Sequence, residues 1–327
     1  MPDNVIAPVW LVGAGAIGAA HAQVLAHMGL EATVIGRGAT TAAAFSAKTG
    51  MAVRMGGLAD WLRSKPQPPA AVVLAVDIEE LAAAAIALME YGARRILVEK
   101  PGGVDGEEIE AVARCSARTG SQVFVGYNRR FLASSMQARD LINSDGGASS
   151  FSFEFTELAA RIGESSHSAR VKENWFLANS THVVDLAYFL GGRPQSLHSQ
   201  IDGRIDWHAP ARFSGCGRSV SGALFHYGAD WTSAGRWGVE INTKSRRMIL
   251  RPLETLQMQQ NGNFEIHPFV LDDEADKTFK PGFLRQMQAF LAGHRATDLQ
   301  DIETQAEMVG GVYAAMLRGK TIGAGER

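Results

Sequence analysis

Cysteine is nearly missing: Cys115 and Cys216 are the only two in 327 residues. Two thiols make no disulfide framework, and neither stands in a metal-like spacing, so reduced thiols are expected. No block of like charge occurs, and the formal net charge is -2. That balance excludes the basic surface of a nucleic-acid binder and the charged tail of a solvating segment. Long apolar runs are also missing. The longest helical one, residues 81–89, falls short of the roughly 20 residues that cross a bilayer. Met1-Pro2-Asp3-Asn4-Val5 has no basic region ahead of an apolar stretch, so no secretory leader and a cytoplasmic location are expected. His167, His198, His208, His226, His267 and His294 show no ligand spacing, and no metal is expected.

What remains is an ordinary globular composition, 46% apolar and 20% charged. The length suggests about two domains. In the first third, β-type runs at 9–12, 33–35, 71–76, 95–98 and 122–125 alternate with helical runs at 16–28, 81–89 and 107–118. That alternation implies βαβ units and a parallel sheet. Near residue 126 the pattern changes. Phe151-Ser152-Phe153-Glu154-Phe155-Thr156 alternates with period two, which puts three phenylalanines on one face of an antiparallel strand. Similar runs occur at 196–201, 220–227, 237–242 and 247–251. A helix over 181–190 stops at Gly191-Gly192-Arg193-Pro194. Two helical segments close the chain, one with Phe283, Met287, Phe290 and Leu291 on one face, the other over 301–317. The expected fold class is α/β: a doubly wound Rossmann domain over 1–126, then an α+β domain over 127–327.

Gly13-Ala14-Gly15-Ala16-Ile17-Gly18 matches G-x-G-x-x-G after a strand and at the start of a helix. Gly13 permits a tight turn, Gly15 lets backbone approach a pyrophosphate, and Gly18 lets the helix lie close to the strand. The helix start at Ala16 and Ile17 then offers free N–H groups to phosphate. The motif points to a dinucleotide. The second strand ends at Gly36-Arg37-Gly38, where NAD-binding sites carry an acid for the ribose hydroxyl. Arg37 suits a 2′-phosphate instead, so NADP is favoured over NAD.

The fourth apolar strand ends in Glu99-Lys100-Pro101. Residues at the carboxyl ends of such strands face the ligand crevice, which aims Lys100 at the nicotinamide end of the cofactor, and an X-Pro bond there can be cis. With these pieces, Gly126-Tyr127-Asn128-Arg129-Arg130-Phe131 and Thr181-His182-Val183-Val184-Asp185-Leu186, the chain resembles the Gfo/Idh/MocA oxidoreductases across almost its whole length. The resemblance implies a second domain with a large, open, mostly antiparallel sheet. Through that sheet it implies a homo-oligomer, a dimer or tetramer. It also implies hydride transfer between nicotinamide C4 and a hydroxyl-bearing carbon of a sugar, cyclitol or sugar derivative. Lys100 is then the catalytic lysine and His182 the acid/base, a role its unperturbed pKa of roughly 6.5 suits. Glu99 joins the cofactor site. Tyr127, Asn128, Arg129, Trp175 and Asn179 are candidates for substrate contact.

One position departs from the family. Many members carry Asp four residues before the histidine, and this chain has Ala178. That loss motivates an alternative, a catalytically silent dinucleotide-binding regulator. A reductase of a non-sugar compound is a further one. Asp185, three residues past His182, could meet it on one helical face, serve helix packing or stand in solvent. His21 and His27 on the first helix are expected to be structural.

Overall fold

The computed structural model describes residues 8–292 and 298–323; residues 1–5 and His294, read above, lie outside them. The described residues fall into two compact units. The first takes those within Met1–Tyr127 and Asp276–Ala306, the second those within Asn128–Ala275 and Glu307–Arg327.

In the first unit, β1 (Val9–Val12), β2 (Ala32–Ile35), β3 (Val53–Arg54), β4 (Ala71–Leu74), β5 (Arg95–Val98) and β6 (Gln122–Val125) pair parallel in the order 3-2-1-4-5-6. That is the strand order of a dinucleotide-binding sheet, with its switch point between β1 and β4. Every residue of β1, β4 and β5 is buried, as strands covered on both faces must be. Helices α1 (Ala16–His27), α2 (Ala39–Thr49), α3 (Gly57–Arg63), α4 (Leu81–Tyr91) and α5 (Gly106–Thr119) alternate with them. The pattern marks α2, α3 and β3 only weakly, because they bury little: α2 hides Ala42 and Phe45, α3 only Gly57. Local chemistry sets α5. The Asp105 carboxylate accepts the Glu108 N–H at 3.0 Å, the Glu108 side chain accepts the Val104 N–H at 2.9 Å, and Gly120 (φ +69) ends the helix.

The second unit holds α6 (Ala133–Ser144), β7 (Ser150–Glu154), α7 (Ala159–Gly163), α8 (Ala169–Glu173) and α9 (Thr181–Gly191). Strands β8 (Pro194–Asp202), β9 (Arg212–Ser219), β10 (Leu224–Asp230), β11 (Gly238–Asn242), β12 (Arg246–Leu250), β13 (Gln257–Gln260) and β14 (Ile266–Pro268) follow. These strands and the late β16 (Thr321–Ile322) form a nine-stranded sheet in which only β7 and β10 run parallel. The strand expected over 220–227 starts later, at Leu224, because a turn at Gly222 (φ +92) takes the residues before it.

The period-two phenylalanines build the core of this unit. Phe151 stacks on Phe225 at 5.2 Å and Phe153 on Tyr227 at 5.3 Å, while Tyr188 of α9 meets both phenylalanines edge-on. Such pairs add about 0.5–1.5 kcal/mol each beyond their buried area. A methyl at Gly191 would lie 2.3 Å from the Phe151 ring, so the end of α9 presses directly on the sheet.

The linear division at residue 126 needs correction over residues 276–306. After α10 (Glu274–Thr278), α11 (Phe283–Leu291), β15 (Gln300–Asp301) and the start of α12 (Ile302–Met308) belong to the first unit. The cause is the apolar face of α11, which finds its partner there. Phe283 stacks on His21 of α1 at 4.4 Å, and the Phe290 carbonyl accepts the Arg95 Nε–H at 2.8 Å. β15 adds an antiparallel edge to β6. The helix expected over 301–317 is also interrupted. A π-helical turn, Val309–Tyr313, separates α12 from α13 (Ala314–Arg318) at the Gly310-Gly311 pair, where helix propensity is poor.

Burial pushes the Tyr227 phenol up to about 12, against the lowering effect of the hydrogen bond it donates to Ser199, and burial pushes Tyr188 up as well. The fold therefore favours the neutral phenols. Their contribution to stability is complete below about pH 10 and is lost as pH rises through the Tyr227 value. Phenolate absorbance and circular dichroism should change together in that window. Titration of all five tyrosines near pH 10 with the fold intact would contradict this.

Candidate active site

The glycine turn after β1 has the geometry its sequence implies. Gly13 takes φ +116, and a methyl on it would sit 2.1 Å from the Ala75 carbonyl oxygen just past β4. A methyl on Gly18 would sit 2.0 Å from the Gly13 carbonyl oxygen. These glycines permit backbone-to-backbone approach. At Gly15 a methyl would meet nothing within 4 Å, so the space above it is open. Gly15 is the N-cap of the twelve-residue α1 and makes no side-chain cap, and Ala16 beside it is exposed. An open helix start between β1 and β4, with glycine where a side chain would intrude, fits a pyrophosphate.

Arg37, at the end of β2, is exposed and ion-paired with Glu80 and, at 3.4 Å, with Asp77. Glu99 and Lys100 stand at the end of β5, both half-buried, and the Lys100–Pro101 peptide is cis. The Glu99 carboxylate lies 3.0 Å from His21 Nε2. Gly13, Gly15, Ala16, Ile17, Gly18, Arg37, Glu99 and Lys100 therefore all lie at the carboxyl ends of strands of one sheet or at the start of α1.

In the second unit, Phe176–Ser180 is a π-helical turn that runs straight into α9 and His182. Such turns recur at functional sites. His182 is 9% exposed, with Trp237 tilted toward it at 6.0 Å between ring centres. Asp185 is committed elsewhere: Arg130 donates to it from Nε at 2.7 Å and Nη2 at 2.5 Å, and the guanidinium lies over Phe189. Of its expected roles, helix packing is the one this geometry supports, since Asp185 is buried. Asn179 donates to both oxygens of Glu157, at 3.2 and 3.1 Å, and Ser180 donates to the same carboxylate at 2.7 Å.

Two substrate candidates sit where a ligand has little access. Tyr127 is 1% exposed and its hydroxyl accepts from Gln305 at 2.8 Å, so its ring packs the interior of the first unit. Trp175 is 8% exposed, with His167 and Trp207 against its ring at 5.3 and 6.1 Å, which leaves little face for a sugar. Arg129 pairs with Glu254 at 2.6 Å, and Asn128 is buried. His208 is structural: it donates to the Pro210 carbonyl, packs on Trp231, and burial lowers its pKa.

Sequence reasoning missed Glu157. It follows the alternating β7 run by three residues, in a loop with no motif of its own, yet it is 6% exposed and brings a carboxylate to the turn where Ala178 supplies none. Among the described residues, no group of three His, Cys, Asp or Glu is placed to hold a metal ion, and no helix is long and apolar enough to cross a membrane.

Residues 8–127 match the model of the oxidoreductase family with an NAD-binding Rossmann fold, Gfo/Idh/MocA. This stretch, 120 of the 327 residues, carries the family likeness. Solved structures share the fold over nearly the whole chain. An oxidoreductase from Agrobacterium radiobacter, solved with NAD+, L-tartaric acid and magnesium, is 14% identical, with 97% of this chain and 98% of that one covered and a TM-score of 0.77. Levoglucosan dehydrogenase with NADH and L-sorbose is 17% identical, at 98% and 99% coverage and a TM-score of 0.76. UDP-N-acetylglucosamine 3-dehydrogenase from Acidithiobacillus ferrooxidans is 17% identical, at 95% and 97% coverage and a TM-score of 0.73. No curated protein matches the chain in sequence.

The open space at Gly15 gives a clean test. Gly15→Ala should leave the melting temperature unchanged, because the methyl meets nothing. It should weaken NADH binding, read by fluorescence, at least about tenfold. Unchanged affinity would remove the phosphate from this turn.

Proposed function

We propose that the chain is a dinucleotide-dependent dehydrogenase or reductase that transfers a hydride between nicotinamide C4 and a hydroxyl-bearing carbon of a sugar, cyclitol or sugar derivative. The observation that carries this reading is the glycine cradle and the Glu99-Lys100-Pro101 segment at the carboxyl ends of one doubly wound sheet. The dinucleotide supplies the hydride acceptor or donor when bound. Gly13, Gly15, Ala16, Ile17 and Gly18 hold its pyrophosphate through backbone N–H groups. Lys100 donates a hydrogen bond to the substrate oxygen and stabilises the charge that grows there as the proton leaves. His182 takes that proton in oxidation and returns it in reduction. Glu157 holds the turn that leads into His182. A carboxylate at this turn speaks against the silent-regulator alternative that Ala178 raised. Asn128, Arg129 and Asn179 remain proposed substrate-side residues.

The test is a panel of sugars, cyclitols and nucleotide sugars with NAD+ and NADP+, followed by nicotinamide absorbance. Lys100→Ala should lower turnover on the order of 10²–10³-fold, the cost of one lost oxyanion donor, while NADH binding and the melting temperature persist. Turnover at the wild-type level would remove Lys100 from the chemistry.

Both NADP(H) and NAD(H) are proposed as cofactors, with Arg37 as the discriminating group. A 2′-phosphate gains the guanidinium but must displace Asp77 and Glu80 from it. In parallel titrations, Arg37→Ala should weaken NADPH about tenfold and leave NADH nearly unchanged, and Glu80→Gln should strengthen NADPH. Equal loss of both dinucleotides on Arg37→Ala would take Arg37 away from the 2′ position. The second sheet is the proposed surface of a homo-oligomer, for which light scattering behind a sizing column is the direct measurement.

A further inference from the structure

His21 lies three residues past Gly18 on α1, so it shares a helical face with the end of the glycine turn. It is 1% exposed. Its Nε2 is 3.0 Å from a Glu99 carboxylate oxygen, and its ring stacks on Phe283 at 4.4 Å with 23° between planes. Its Nδ1 is buried and has no hydrogen-bond partner among the described residues. A buried N–H with no acceptor is rare in folded proteins, whereas a carboxylate beside Nε2 calls for a donor there. Nε2 is therefore the donor to Glu99.

The other flank of the same segment is also fixed. Gln305 is fully buried and donates from Nε2 to the Pro101 carbonyl at 3.3 Å as well as to the Tyr127 hydroxyl. Lys100 thus stands between two residues that are each tied to an interior side chain. One tie comes from the helix whose start faces the dinucleotide, the other from the segment of chain that returns to this unit.

We propose that His21 is a positioning residue for Lys100: it donates from Nε2 to Glu99 and couples the dinucleotide-binding helix to the Glu99-Lys100-Pro101 segment. The proposal rests on the reading above, in which Lys100 meets the substrate oxygen. His21 itself touches neither ligand. It acts through Glu99, so that the aim of the ammonium is set by that connection. A group misplaced by about 1 Å costs on the order of 100-fold in rate, which is the scale on which such a tie matters.

The experiment uses the full chain with His21→Leu, which keeps apolar bulk and removes the donor, and His21→Gln, whose amide nitrogen reaches the place of Nε2. With a substrate from the panel, His21→Leu should lower kcat on the order of 100-fold. His21→Gln should recover most of that loss, and the NADH dissociation constant should stay near wild type in both. The acetylation rate of Lys100 by acetic anhydride, read by mass spectrometry, gives the same comparison without a substrate: leucine should change it, glutamine should not. Nitrogen-15 spectra of the imidazoles should show His21 protonated at Nε2. A leucine variant with wild-type turnover or labelling, a glutamine variant no better than leucine, or an Nε2 without a proton would each overturn the proposal. Failure of the functional reading looks different: Lys100→Ala would then keep its turnover, while the labelling rates and the imidazole spectrum still report on His21.

Discussion

A single backbone approach sets the terms for the first unit. The turn after β1 lies so close to the carbonyl of Ala75 that no side chain fits at Gly13, and α1 starts so close to that turn that none fits at Gly18. These two contacts fix the direction in which α1 leaves the sheet. They also put its bare start at the place where strand order reverses, between β1 and β4. The ends of β2 and β5 then present Arg37 and Glu99-Lys100 on the same rim without further adjustment, because neighbouring parallel strands end in step. The chemistry proposed for this rim follows from main-chain sterics before any charged group is considered.

In the second unit the constraint is aromatic. Phe151 and Phe153 alternate along β7, with Phe155 just past its end, and α9 is pressed onto the first two through Tyr188 and the bare Cα of Gly191. The helix that carries His182 has little freedom to slide. Its axial position is further held by the bidentate Arg130–Asp185 pair and by the Glu157 carboxylate on the turn before it. A buried ion pair of this kind is poor evidence for net stability, since desolvation offsets much of its attraction, but losing one partner leaves a buried charge exposed to that penalty alone. The two carboxylates are better understood as fixing where α9 sits.

Much of this was legible in the chain, and the reasons are physical. Strands buried on both faces read as unbroken apolar runs, so β1, β4 and β5 stand out. The fingerprint glycines are read from steric demands that are entirely local. The phenylalanine alternation marks a half-covered strand for the same reason. Elements that bury only one or two residues, such as α2 and α3, leave almost no periodic trace. Side-chain partners distant in sequence leave none: His21 meets Glu99 across 78 residues and Gln305 meets Pro101 across 204. Tyr127 and Trp175 were attractive as ligand contacts because they follow a strand end and a basic loop. The interior claims both rings, through the hydroxyl–amide bond to Gln305 in one case and neighbouring aromatic rings in the other.

The return of residues 276–306 to the first unit has a consequence for biosynthesis. Chains emerge from the ribosome amino end first, and domains tend to fold as they appear. Here the α1 face that receives Phe283, the edge of β6 that receives β15, and the carbonyl of Pro101 all wait for a segment made more than 150 residues later. Throughout that interval the nascent sheet carries an unpaired edge and an uncovered apolar flank, the features that invite wrong partners. This protein closes its oldest part late, and a chain cut short after Tyr127 keeps its glycine turn without the packing that steadies the lysine segment beside it.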